Sequence, residues 1–194
     1  MNHLKIAASL ILSLLFSSCS PDTSEDIIYN QLADKQAKAI YKVNNKEFYP
    51  SEGVFLAEIN ASDKLLSMTL VDQFDDRTII SFGGENWYVA MPVKKEVFAD
   101  NQVNAGVKMG KLLDKNKMIG VGYVMSEGIV TLQEFSKDKV VIKIKGKVGK
   151  YSDFQEATEF FPMEGTVVCK KPTFQLMNIT EEELFNAQKT SAKL

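Results

Sequence analysis

A chain of 194 residues with 23 basic and 25 acidic side chains, at a formal charge of −2, has the length of one domain and no charge excess to draw it onto a polyanion. Arg77 is its only arginine and His3 its only histidine. The lack of planar guanidinium forks argues against nucleic acid as a partner, and a single histidine leaves little of the usual catalytic repertoire.

The first element is a signal. Residues 1–5 carry the charge of Lys5, residues 6–16 are an apolar run, and Ser17 and Ser18 are small. A membrane-spanning helix needs roughly 20 apolar residues, so residues 1–18 read as a cleaved secretory signal. Phe16-Ser17-Ser18-Cys19 resembles a bacterial lipobox, with phenylalanine where leucine is usual. The resemblance implies that Cys19 is the lipidated first residue of an outer-membrane lipoprotein, facing the cell surface or the periplasm. Acyl chains contribute about 0.8 kcal/mol per buried methylene, so multiple acylation would anchor it firmly. Cleavage removes His3, and with it any Ser-His-Asp triad, Cys-His pair or histidine-ligated zinc. Cys169, in an apolar run, reads as a small core side chain.

Residues 19–26 are polar and acidic and read as a flexible tether. Acids just after the cysteine also resemble the export signals of surface lipoproteins in Bacteroidota-type bacteria. Residues 27–194 read as a single all-β domain. It begins with a short helix over 27–39, whose apolar spacing is irregular. Strands at 40–43 and 46–49 flank Asn44-Asn45, side chains that tolerate the positive φ of a tight hairpin turn. Strands follow at 54–61 and 65–71, with Leu66, Met68 and Leu70 on one face, then at 78–82 and 87–91 around Gly83-Gly84. Residues 94–117 look like a long polar connection. Strands at 118–125, 129–135 and 139–148 come next. In the last, Val140, Ile142, Ile144 and Val148 alternate with Lys139, Lys143, Lys145 and Lys147, as expected of an antiparallel sheet with one wet face. Residues 150–164 form a second, aromatic-rich connection. Strands at 166–169 and 173–177 and a helix over 180–189 complete the chain, with Thr180 and Glu183 at capping-box spacing. The pattern predicts an antiparallel β-sandwich or partly open barrel with short N- and C-terminal helices.

The strand-turn-strand at 41–48, paired with the hairpin around Glu127-Gly128-Ile129, resembles a family of Bacteroidota-type β-sandwich lipoproteins. Members often carry a Gly-Thr-Phe-like step after that hairpin, where this chain has Lys145-Gly146-Lys147-Val148. The family has no assigned chemistry, so the resemblance implies fold and envelope location alone.

Four groups of residues are candidate sites. The lysine row of 139–147 could meet anionic glycans or headgroups, or could serve as a solvated face that keeps a strand from aggregating. Asp72, Asp75 and Asp76 could gather a calcium ion, but their spacing fits an ordinary hairpin loop better. Trp87, Tyr151, Phe154, Phe160 and Phe161 offer flat faces on which sugars can stack, as bases do on aromatic platforms. Asp153, Glu156 and Glu159 are the candidates for a hydrolase working through carboxylates alone. No motif calls for a metal or cofactor. The leading reading is a non-catalytic binding or accessory lipoprotein for a glycan, an envelope component or a protein partner, with contacts from the aromatic segment. The alternatives are an inhibitor or immunity-type lipoprotein with a protein-sized patch, and a lipocalin-like carrier of an apolar ligand. In lipocalins a Gly-x-Trp motif lies on an early strand, whereas Trp87 here lies mid-chain.

Overall fold

The computed structural model describes residues 23–51, 53–97, 105–151 and 157–191. Cys19, Asp153, Phe154 and Glu156 lie outside them. The described residues form eleven strands, most with period-two burial: β1 (Gln36–Val43), β2 (Lys46–Glu47), β3 (Phe55–Ser62), β4 (Leu65–Val71), β5 (Arg77–Gly83), β6 (Val93–Val97), β7 (Ala105–Asp114), β8 (Ile119–Phe135), β9 (Lys139–Tyr151), β10 (Phe160–Lys170) and β11 (Thr173–Met177). Helices α1 (Ser24–Gln31) and α2 (Glu181–Ser191) stand at the two ends. The order β3-β4-β5-β7-β8-β9-β10-β1 returns to β3 through Gln36↔Leu56 and Ala37↔Phe55, closing an eight-stranded antiparallel barrel. Past that two-residue seam, β11 lies parallel to β3 at Glu58–Ser62. β6 pairs with the C-terminal half of β8, and β7 with its N-terminal half.

An eight-stranded barrel is just wide enough for side chains to fill it. Here Met68, Leu70, Ile80, Val107, Leu132, Ile142 and Val167 belong to one buried cluster. Aromatic rings close both ends. At the starts of β3 and β5, Phe48 and Tyr49 leave β2 and turn inward. Tyr49 packs against Phe48 and Phe55, and its hydroxyl lies 2.8 Å from the Arg77 carbonyl. At the far end of the same strands, Trp87 packs edge-on against Phe82 and Phe135 and donates Nε1–H to the Ser62 carbonyl at 2.9 Å. Helix α2 covers that end, with Phe185 stacked on Phe135 at 5.4 Å. Its start is the expected one: Thr180 donates to the Glu183 carboxylate, and the Glu183 N–H donates back to the Thr180 hydroxyl.

Five expectations change. Helix α1 ends at Gln31 because seven register pairs with β10 take residues 37–43 into β1. Residues 87–91 form turns that tuck Trp87 under the barrel rather than a strand. The connection over 94–117 contains most of β6 and all of β7, whose glycines and lysines mask the inward series Ala105, Val107 and Met109. The strands at 118–125 and 129–135 are one, β8, with irregularities in its pairing to β9 between Met125 and Glu127 and between Leu132 and Glu134. The aromatic connection is also shorter than expected, since β9 runs to Tyr151 and β10 starts at Phe160. Pro162 is tolerated in β10 because its missing N–H falls beyond the last β1 pair, Val43↔Met163.

The described part of the tether, Thr23 to Asp26, is ordered on the barrel. Thr23 caps α1 and Asp26 completes a capping box. Glu25 then meets Lys143 at 2.7 Å, and Asp26 meets Lys139 at 2.6 Å. Between these lysines the outward row is broken by Val141, which with Val168 is buried beside Ile28, Tyr29 and Leu32. The break in the lysine row is therefore where α1 sits. The Lys143 hydrogen bond, aided by Ser24, holds the Glu25 carboxyl down at about 2. Lys139, aided by Thr23, does the same for Asp26, also to about 2. A carboxylate depressed in the folded state contributes stability above its ordinary pKa and loses it as pH falls towards the folded value. Acidification from about pH 4.5 to about 2 is therefore expected to release α1 while the barrel persists. NMR would show Ile28 and Tyr29 shifting before core residues such as Leu132. Unchanged Ile28 and Tyr29 signals down to pH 2 would count against the ion pairs as the clasp.

Candidate functional site

Sheet register assembles the site. Arg77 pairs with Gly110, Gly110 with Gly122, and Gly122 with Tyr151, so the four form one row across β5, β7, β8 and β9. The next row is Ile79, Lys108, Val124, Gly149 and Phe160. Inward neighbours such as Thr78 and Met109 are buried, which leaves both rows on the outer face of the barrel. Strands lie about 4.8 Å apart, so the Arg77 and Tyr151 backbones stand about 14 Å apart with only hydrogen atoms rising from the floor between them. Leu112 and Gly120 border the row on one side, Lys108 and Val124 on the other. The result is an open trough of about 750 Å³.

The floor glycines, Gly110 and Gly122, are not there for packing. A Cβ at either would find its nearest neighbours 3.7 and 3.4 Å away, ordinary contacts, and at Gly106, on the same face of β7 beyond the trough, it would meet nothing within 4 Å. None of these three has positive φ. A glycine inside a strand costs roughly 0.5–1 kcal/mol relative to alanine. Where neither turn nor close packing demands one, close approach of another molecule to the backbone is a physical reason for it.

The expected aromatic residues separate. Tyr151 is 57% exposed and forms one wall of the trough. Phe160, 52% exposed, lies against Gly149 one strand away. Phe161, one residue on, faces inward and packs edge-on against Tyr123. Trp87 is 1% exposed and has no face to offer a ligand, a correction to its place among the candidates that follows from its role in closing the barrel. Phe154, Asp153 and Glu156 lie outside the described residues, and Glu159 is exposed beside β10.

The other groups have structural work. Asp72 accepts the Phe74 and Asp76 N–H groups at 2.8 and 2.9 Å, Asp76 accepts the Leu112 N–H at 2.9 Å, and Asp75 is bound by Lys115. These carboxylates tie the β4–β5 turn to β7 at the edge of the trough. Burial raises the Asp76 pKa, while Lys115 lowers that of Asp75. Among the described residues no group of three or more metal-ligating side chains is arranged to hold an ion. Cys169 is buried in the core, where desolvation pushes its thiol well above the ordinary range.

Arg77, Lys108, Gly110 and Gly122 are the residues that sequence reasoning missed. Their signal was the common parity of Gly106, Lys108 and Gly110 before the β7–β8 turn and of Gly120 and Gly122 after it, which places all five on one face of a hairpin. The chain matches no protein-family model, no curated protein and no solved structure.

Proposed function

We propose that this chain is a lipid-anchored envelope protein, held to the membrane through Cys19, that binds a glycan in the trough between Arg77 and Tyr151 without transforming it. The observation that carries the reading is the row itself: an exposed ring, two bare glycines and a guanidinium in cross-strand register. A sugar ring offers an apolar face for Tyr151 and a hydroxyl edge for exposed polar groups. The bare floor lets it approach the backbone more closely than any side chain would allow. The trough's volume falls within the roughly 300–1,000 Å³ usual for small-ligand sites. The packed barrel interior favours this outer surface over carriage of an apolar ligand inside. The carboxylate at the rim, Asp75, is already engaged by Lys115, which favours capture over hydrolysis.

The test is a glycan array probed with the purified full chain in a zwitterionic, sugar-free detergent. Selective oligosaccharide binding is expected, weakened at least tenfold by Tyr151→Ala and by Gly110→Val. Thermal melting should show the Gly110→Val domain as stable as the parent, because the new side chain fills the trough and not the core. An empty array, or binding that neither substitution alters, would overturn the reading.

A further inference from the structure

We infer that the glycan taken by this trough is acidic, and that Arg77 is the side chain that reads its carboxylate. This inference rests on the glycan-binding reading above and adds the chemical class of the ligand.

Every ion pair within the described residues is made by a lysine: Lys42 with Glu164, Lys139 with Asp26 and Glu134, Lys143 with Glu25, Lys147 with Glu127, and others at the turns. The outward lysines of β9 are thus largely neutralised by their neighbours. The cations lining the trough differ. Arg77, Lys108, Lys111 and Lys150 line it; Lys111 donates to the Phe48 carbonyl, and none of the four makes an ion pair with a described residue. The acid nearest to Arg77 in sequence on this rim, Asp75, is held by Lys115, and Arg77 contributes only a minor part to its lowered pKa. In a chain of net charge −2, the described lining of the trough carries more basic than acidic side chains.

A chain that uses lysine for all these pairs places its one arginine at the wall of the trough, in register with a bare glycine. Ammonium and guanidinium are not equivalent. The guanidinium presents parallel N–H donors that match the two oxygens of a carboxylate, and it holds its charge at any physiological pH. Lys108, diagonal to it in the neighbouring row, adds a point charge without that geometry. A saccharide bearing a carboxylate satisfies all the walls at once, with the carboxylate on Arg77, an adjacent sugar face on Tyr151 and the ring backbone over Gly110 and Gly122.

The experiment is calorimetric titration of the full chain with a panel of oligosaccharides containing galacturonate, glucuronate, mannuronate or sialate, each paired with its methyl ester, alongside sulfated neutral oligosaccharides. At least one acid is expected to bind tenfold or more tightly than its own ester and more tightly than the sulfated probes. Arg77→Gln should abolish that preference, bringing the acid and its ester to the same affinity, while Arg77→Lys should restore only part of it. Because the Arg77 side chain is exposed and its carbonyl holds Tyr49, these variants should melt with the parent. Equal binding of acids and esters, a preference that survives Arg77→Gln, or sulfated probes binding as well as the best acid would overturn this inference and leave the glycan reading standing. Failure of every saccharide to bind would overturn both.

Discussion

Replacing Trp87 with alanine is expected to destabilise the domain by about 3–5 kcal/mol, the usual cost of emptying a large aromatic site. The ring is the stopper at one end of the barrel. It touches Phe82, Tyr88 and Phe135 edge-on at 5.0–6.4 Å, and its N–H satisfies the Ser62 carbonyl at the end of β3. Truncation removes buried apolar area, leaves that carbonyl without its donor and takes away a surface on which Phe135 and then α2 depend. A domain of this size is stable by about 5–15 kcal/mol in total, so the loss is a large share of the whole. Urea unfolding followed by tyrosine fluorescence would measure it, and a loss below about 1 kcal/mol would show that α2 alone can close the end. Trp87→Phe should recover most of the packing but not the hydrogen bond.

The second large effect is Gly146→Ala. Gly146 and Gly128 pair where β9 crosses the irregularity in β8, and Gly128 has φ of +136°. A Cβ on Gly146 would lie 2.1 Å from the Glu127 carbonyl oxygen and 2.7 Å from the Gly128 Cα, both backbone atoms that cannot swing away. The two strands would have to part, at a cost of about 3 kcal/mol, the upper end of the usual overpacking range. For a domain of this length that corresponds to a melting midpoint lower by roughly 6–12 °C. Gly106→Ala is the control, since its Cβ meets nothing and should leave the midpoint unchanged or raise it. Equal effects at the two positions would mean that the β8–β9 crossing gives way easily.

These two glycines show where the sequence was legible and where it was not. Gly146 and Gly110 look alike in the chain, each a glycine one residue from a lysine, yet one is forced by its neighbours and the other is not. Only the pairing partner distinguishes them, and pairing between distant strands leaves no local mark. What alternation could show, it did: the all-β class, the outward lysines of β9, and the Asn44-Asn45 turn, both of whose residues have positive φ. β7 was hidden because its outward positions are glycine and lysine, so the period of two was there with little hydrophobic contrast. Trp87 misled for the opposite reason. It sits in an apolar stretch that reads as a strand, and its inward course is set by the barrel end it must fill. Tyr151 was picked out for its chemistry, but its partners in the trough lie 29 to 74 residues away along the chain. Register between β5, β7, β8 and β9 brings them together, and no spacing rule reaches that far.

If Cys19 is the proposed anchor, the docking of α1 would determine how the protein meets a ligand. Only residues 19–22 separate the proposed acyl anchor from the capped helix, a span of at most about 14 Å even when fully drawn out. A barrel joined in this way does not sweep a volume like a float on a line. If Cys19 carries the proposed anchor, the barrel would be held close to the bilayer. The clasp at Val141 lies near one end of β9 and Tyr151 at the other, ten residues and up to about 33 Å along the strand. The trough would then be carried as a fixed shelf standing off the lipid surface, poised for polymer strands that pass at that height.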